Sequence, residues 1–172
     1  MRTEFDAIVI GAGQAGPSLA GRLTAAGMRV AIIERKFFGG TCVNTGCTPT
    51  KTLVASAAAA HMVRRAAEYG IRVEGSISTN MQSVKARMEA VSRQSRDGVE
   101  SWLRGMPNCT VLQGTAQFTS SHTVQVGDDD LHAERIFINV GGRALIPSFP
   151  GLDRVRALTN TTILQLDEVP RH

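Results

Sequence analysis

Two cysteines, Cys42 and Cys47, are separated by four residues in the segment GGTCVNTGCTPTK at 39–51, and this spacing could support thiol–disulfide chemistry. Pro49 favours a helix start just after Cys47. Free amides and the helix dipole would then stabilise a thiolate at Cys47, and Lys51, one turn further on, adds a positive charge. We therefore expect Cys42, in the preceding loop, to be the more exposed sulfur and able to attack an external disulfide.

Two other interpretations of the cysteine pair are weaker. A zinc site would need more ligands, and His61 lies several helical turns beyond Cys47, so we predict no metal site. A purely structural disulfide is disfavoured because a loop this short gains little from cross-linking. In a reducing compartment, a close cysteine pair is also more often catalytic or metal-binding than structural.

The hexapeptide GAGQAG at 11–16 fits the pattern G-x-G-x-x-G between an apolar strand and a helix. In that setting Gly11 permits a tight turn, Gly13 lets the backbone approach a pyrophosphate, and Gly16 allows the helix to pack closely on the strand. Glu34 follows at the end of the next strand, where a carboxylate can accept from ribose hydroxyls and disfavours a 2′-phosphate. The sequence thus predicts a site for FAD or NAD rather than NADP. A glycine-rich turn without a ligand is the alternative.

The elements that position these residues follow from periodicity. A β-α-β unit comes first, then a Gly- and Cys-rich loop, two long helices and several short strands. Gly98 interrupts the second long helix, and Gly127–Asp130 turns the chain between strands. The predicted ranges are strands at 5–10, 29–33, 109–112, 123–126 and 136–140, helices at 14–28, 49–69, 81–103 and 161–166, and a loop at 37–47.

Composition restricts the class of protein. The chain has 172 residues, 42% hydrophobic and 20% charged, which suits one globular domain with a sizeable core. The formal net charge of +4 is scattered and not interleaved with aromatic residues, so nucleic-acid binding is not expected. No apolar run approaches the roughly 20 residues that span a bilayer. We expect a cytoplasmic protein without membrane contacts.

The cysteine segment, the glycine hexapeptide and Glu34 together resemble the class I pyridine nucleotide-disulfide oxidoreductases, which include mercuric reductase, dihydrolipoamide dehydrogenase and glutathione reductase. The family pattern is G-G-T-C-[LV]-N-x-G-C-x-P-[ST]-K. The resemblance implies an α/β fold, with a Rossmann-like FAD/NAD(P)-binding domain around a central parallel sheet and a small antiparallel β meander. Residues 1–150 would form the N-terminal segment of the FAD-binding domain, and residues 151–172 a connector toward an NAD(P)H-binding domain outside this sequence.

The resemblance also implies roles for single residues. Cys42 would be the interchange thiol that attacks substrate, Cys47 the thiol against the flavin ring, and Lys51 the lysine beside flavin N5. Asn139-Val140-Gly141-Gly142 falls where the family usually has Ala-Thr-Gly-Ser, which leaves no side-chain hydroxyl at Val140. The residues expected to contact FAD are Gly11, Gly13, Gly16, Glu34, Gly40, Thr41, Gly46, Cys47, Lys51, Thr115, Ala116 and Gly141.

In such enzymes NAD(P)H reduces FAD, FAD reduces the disulfide, and the dithiol reduces the substrate. The implied substrate is a small-molecule disulfide such as lipoamide, or mercuric ion, with a slight preference for mercuric-reductase-like. The implied full-length protein is a homodimer with an acid-base histidine. The sequence has four histidines, and none matches that motif: His61, His122, His132 and His172. We therefore expect the chain to be a fragment that is inactive alone.

Two rival functions remain open. The chain could be a non-catalytic module that binds FAD or ADP without turnover. A flavin-free Rossmann dehydrogenase is disfavoured because it has no use for Cys42 and Cys47. A yellow protein with a long-wavelength band on reduction would favour the flavoenzyme, whereas a colourless protein that binds ADP would favour the module.

Overall fold

The computed structural model describes residues 2–170. The strands are β1 Arg2–Glu4, β2 Ala7–Ile10, β3 Val30–Glu34, β4 Cys109–Gln113, β5 Ala116–Ser120, β6 Thr123–Val126, β7 Asp129–His132 and β8 Arg135–Ile138. The expected parallel sheet is present, with strand order β4-β3-β2-β8. A second, four-stranded sheet has the order β1-β7-β6-β5, antiparallel except between β1 and β7. The helices are α1 Ala15–Ala25, α2 Gly40–Thr45, α3 Cys47–Arg64 and α4 Met81–Arg104.

The parallel sheet is the middle of three layers. Alternate residues of β2 and β3 point to opposite faces, which is why both strands are almost continuously apolar. On one face Val9 and Ile32 belong to a core with Leu103 of α4 and Ala20 of α1. The other face is covered by the second sheet, whose antiparallel strands β5, β6 and β7 form the meander. The core on this side includes Ile8, Ile33, Val124 and Leu131. The layers therefore bury the strands whose carboxyl ends carry the predicted site.

Several predicted boundaries were wrong. The predicted loop at 37–47 contains α2, and α3 begins at Cys47 rather than Pro49. Helix α3 ends at Arg64 and is followed by a 3₁₀ turn at Ala66–Tyr69. Gly98 does not interrupt α4, because a glycine can keep helical geometry inside a long packed helix.

Some strands of the meander were not predicted because their sequences are mostly polar. Only Gly127 and Asp128 turn the chain, and Asp129–His132 forms β7 with its single large apolar residue, Leu131, facing the core. Strands β1 and β5 were not predicted, and the predicted strand at 136–140 ends at Ile138. The predicted helix at 161–166 is a 3₁₀ turn at Ile163–Gln165. Residues 171 and 172, at the end of the predicted connector, lie outside the described residues.

Candidate active site

The glycine hexapeptide forms the turn from β2 into α1, as predicted. Gly11 has a φ of +105°, and a Cβ there would overlap the backbone carbonyl of Asn139. A Cβ at Gly16 would overlap the carbonyl of Gly11. At Gly13 a Cβ would make only ordinary contact, 3.8 Å from the Cα of Gly40. Packing within the chain thus requires glycine at positions 11 and 16. At Gly13 it does not, and the missing side chain leaves the backbone of the loop accessible.

The N-terminus of α1 is free to bind an anion. Its first turn contains no acidic residue, and Gln14 makes no side-chain capping hydrogen bond. Instead, the Gln14 amide group donates to the carbonyl of Gly39 at 3.3 Å. The amides of the first helical turn and the positive end of the dipole therefore suit a phosphate group.

Glu34 ends β3 beside the glycine loop. Its Oε2 accepts from the backbone amide of Ala12 at 2.9 Å, and its Oε1 accepts from the amide of Lys36 at 2.8 Å. The residue is only partly buried. Because each carboxylate oxygen has a second lone pair, Glu34 can brace the loop and still accept from a ribose hydroxyl.

Three further residues that the resemblance predicts to contact the nucleotide lie along the same carboxyl edge of the sheet. The amide of Gly114 donates to the backbone carbonyl of Glu34 at 2.9 Å, which places the following Thr115 and Ala116 next to the end of β3. Thr115 is exposed, whereas Ala116 packs against the core and offers mainly its backbone. Gly141, with a φ of +68°, is exposed just beyond β8. Ligands of open α/β sheets bind at this edge.

The segment at 38–41 joins the glycine loop to the cysteines. The amide of Gly39 donates to the carbonyl of Ala12 at 2.7 Å. Gly40 has a φ of +59°, and a Cβ there would lie 2.7 Å from the Cα of Gly13. Thr41, the next residue of α2, is exposed. The two predicted motifs are thus packed directly on one another.

The two cysteines lie on either side of a break between α2 and α3. Gly46 separates the helices, and a Cβ there would lie 2.8 Å from the carbonyl oxygen of Thr41. Cys47 is the first residue of α3, so the predicted helix start at this sulfur is present. Both sulfurs are free thiols in this structure.

The prediction that Cys42 is the more exposed thiol was wrong. Cys42 is half-buried and Cys47 is exposed, because Cys42 lies within α2, which packs against α3 and α4. A hydrogen bond with the Cys47 side chain raises the pKa of Cys42 above its ordinary value of 9.0, and burial raises it further. The positive charge of Lys51, which is itself exposed, opposes this pKa shift only weakly. The Cys42 thiol is therefore harder to deprotonate than an ordinary cysteine thiol.

Two residues that sequence reasoning missed hold the cysteine segment. Asn44 donates from Nδ2 to the carbonyls of Phe38 and Gly40, both at 2.9 Å. Arg96 of α4 donates from Nε to Oδ1 of Asn44, also at 2.9 Å. Asn44 lies inside the recognised motif, but nothing in the sequence distinguishes Arg96 from the other arginines of α4.

The described histidines are distant from the thiols. His61 follows Cys47 by fourteen residues on α3, which corresponds to about 21 Å along the helix. His122 and His132 belong to the meander, where their ring centroids are 6.2 Å apart. His172 lies outside the described residues. Within residues 2–170 no group of three or more acidic, His or Cys side chains could hold a metal ion, and no helix is long and apolar enough to cross a membrane.

The glycine loop at the end of a parallel strand packs on α2, which carries Cys42, and α3 follows with Cys47 at its first position. This arrangement is typical of the dinucleotide-binding domain of a dithiol oxidoreductase. The chain belongs to the pyridine nucleotide-disulphide oxidoreductase family, whose model matches residues 5–172. This confirms the resemblance, the fold class and the enzyme class that the motifs predicted.

Similarity to individual proteins supports the same family assignment. The chain is 34% identical to the probable pyridine nucleotide-disulfide oxidoreductase RclA of Escherichia coli, over 98% of this chain and 36% of RclA. It is 35% identical to a dihydrolipoyl dehydrogenase of Chlamydia trachomatis, over 99% of this chain and 37% of that protein. It is 32% identical to a mercuric reductase of Bacillus cereus, over 97% of this chain and 26% of that protein.

A solved structure of a flavoprotein disulfide reductase has a similar fold. The HOCl-induced flavoprotein disulfide reductase RclA from E. coli superposes with a TM-score of 0.76 at 35% identity, over 96% of this chain and 35% of that one. The chain therefore spans between about a quarter and a third of the length of these relatives.

Proposed function

We propose that the chain is the FAD-binding and dithiol portion of an NAD(P)H-dependent flavoprotein disulfide reductase. The observation that carries the proposal is the direct packing of Gly40 on Gly13, with Asn44 bonded to both sides of Gly39. A nucleotide bound at the glycine loop would therefore lie next to the dithiol on α2 and α3, because the loop and α2 are in direct contact.

The residues present fit FAD. Gly11, Gly13 and Gly16 with the α1 amides would hold the pyrophosphate, and Glu34 the adenosine ribose. The remaining contacts would come from a set along the sheet edge and the cysteine segment: Gly40, Thr41, Gly46, Cys47, Lys51, Thr115, Ala116 and Gly141. Bound FAD would supply hydride and electron transfer between NAD(P)H and the dithiol. The proposed domain limits are 1–150 for the FAD-binding part and 151–172 for the connector.

The chain's own residues would then divide the sulfur chemistry. The raised pKa of Cys42 means that its attack on a substrate disulfide would need a base that removes the thiol proton. The resemblance assigns this role to a histidine, and we propose one outside residues 2–170. The proposed substrate is a small-molecule disulfide or a metal ion such as mercuric ion, acted on by a full-length homodimer.

Cofactor binding and thiol counting test the proposal. The purified chain should bind FAD with quenching of flavin fluorescence, and Ellman's reagent should detect two more thiols after reduction of the oxidised protein. Cys42→Ser with Cys47→Ser should abolish that increase of two. A colourless chain that binds ADP but not FAD would instead indicate a non-catalytic nucleotide-binding module.

A further inference from the structure

Arg96 of α4 makes one contact with the cysteine segment and one with Phe37, just before that segment. Its guanidinium stacks over the ring of Phe37, 4.1 Å from the ring centroid. Its Nε also donates to Oδ1 of Asn44 at 2.9 Å. The side chain is half-buried, so these contacts are partly shielded from water.

Asn44 transmits this contact to the backbone around the thiols. It stands between Cys42 and Cys47, and its amide nitrogen donates to the carbonyls of Phe38 and Gly40. An amide can make these two bonds only if its oxygen faces the opposite direction, where Arg96 binds it. Arg96 thus fixes which way Asn44 points, and Asn44 fixes the path of α2 relative to the glycine segment.

We propose that Arg96 is a positioning residue for the Cys42–Cys47 pair: acting through Asn44, it holds α2 so that the two sulfurs can close into a disulfide. The inference rests on the proposed function, since it presumes that the pair is redox-active. A looser α2 would lower the effective concentration of one sulfur at the other, and the disulfide would become easier to reduce.

The step that reports this effect is thiol–disulfide exchange with dithiothreitol. The Cys42–Cys47 disulfide accepts two electrons and two protons, its S–S bond breaks, and dithiothreitol is oxidised to its cyclic disulfide. In Arg96→Met the equilibrium constant for forming the protein disulfide should fall about tenfold, because a looser α2 lowers the effective concentration of one sulfur at the other. For a two-electron couple that change is about 30 mV.

The control is Arg93→Met, which removes an exposed arginine from the same helix and should leave the constant unchanged. Arg96→Lys keeps a cation for Phe37 and a donor for Asn44, so it should recover most of the wild-type value. Asn44→Ala should reproduce the shift, and Arg96→Met should add little to it, because both act through one contact.

The outcomes separate the inference from the proposed function. A wild-type chain in which Cys42 and Cys47 never form a disulfide would overturn both. A wild-type disulfide whose constant responds equally to Arg96→Met and Arg93→Met would overturn only the positioning role. Additive effects of Arg96→Met and Asn44→Ala would overturn the route through Asn44. Should Arg96→Met not fold, Arg96→Gln must still shift the constant more than Arg93→Gln does.

Discussion

The carboxylate of Glu34 accepts a hydrogen bond from the backbone amide of Ala12, 22 residues earlier, at 2.9 Å. Ala12 lies within the glycine loop, between Gly11 and Gly13. The residue proposed to bind the ribose therefore also braces the loop proposed to bind the pyrophosphate. This dual position means that a change at Glu34 should affect the whole nucleotide site.

We expect Glu34→Gln to weaken FAD binding about tenfold. The carboxylate of Glu34 accepts from the backbone amides of Ala12 and Lys36, whereas glutamine has only one oxygen, so its NH₂ group would face one of these two N–H donors. Fluorescence titration with FAD measures the affinity, and Glu74→Gln, in an exposed loop, is the matched control. Equal affinities in the two variants would contradict the role assigned to Glu34.

The conformation of the glycine loop and the position of Glu34 beside it could be predicted from sequence because their requirements are local. The turn after β2 needs a positive φ at Gly11 and close approach at Gly16, and only glycine satisfies both. Glu34 could be placed because the residue that ends the second strand of a β-α-β unit adjoins the end of the first.

Gly40→Ala should destabilise the fold by about 2 kcal/mol or more. Gly40 has a φ of +59°, and the added Cβ would press on the Cα of Gly13, which is backbone and cannot move aside. Chemical denaturation measures the loss. FAD affinity should fall as well, because the added Cβ would push the glycine loop and α2 apart.

Gly98→Ala is the opposite case. Gly98 lies in the middle of α4 with a helical φ and open space where the Cβ would be. Alanine there should stabilise the chain by about 0.5–1 kcal/mol, since glycine is the poorer helix former. A loss of stability in denaturation would show that α4 needs flexibility at this position.

Features that depend on tertiary contacts were not predictable. Helix α2 is short and contains Gly40, Thr41, Val43 and Asn44, which have low helix propensity, and it is stabilised by packing on α3 and α4. That packing also half-buries Cys42, contrary to the prediction. Arg96 joins the site across 52 residues of sequence, and no periodicity or motif indicates such a contact.

The assignment of the two sulfurs predicts opposite spectra in the FAD-loaded full-length protein. Cys47→Ser should abolish the long-wavelength thiolate-to-flavin band of the reduced protein, because the resemblance places this thiol against the flavin. Cys42→Ser should keep or intensify the band, since it leaves in place the thiol that the resemblance puts against the flavin. Absorption spectra under anaerobic reduction would distinguish them, and the reverse pattern would exchange the two roles.

The raised pKa of Cys42 predicts a pH profile for its alkylation in the FAD-free, reduced chain. Because only the thiolate reacts, iodoacetamide should modify Cys42 with a midpoint above the ordinary thiol pKa of 9.0, and exposed Cys47 should react first near neutral pH. Peptide mass mapping after timed quenching gives the rate at each cysteine, with half-buried Cys109 as an internal slow thiol whose pKa burial raises.

Two variants fix the sign of this effect. Cys47→Ala removes the hydrogen bond that raises the pKa of Cys42 most, so the midpoint for Cys42 should move to lower pH. Lys51→Met removes an attraction that lowers the same pKa, so the midpoint should move slightly to higher pH. A midpoint that stays fixed in Cys47→Ala would mean that burial, and not the neighbouring sulfur, holds the proton on Cys42.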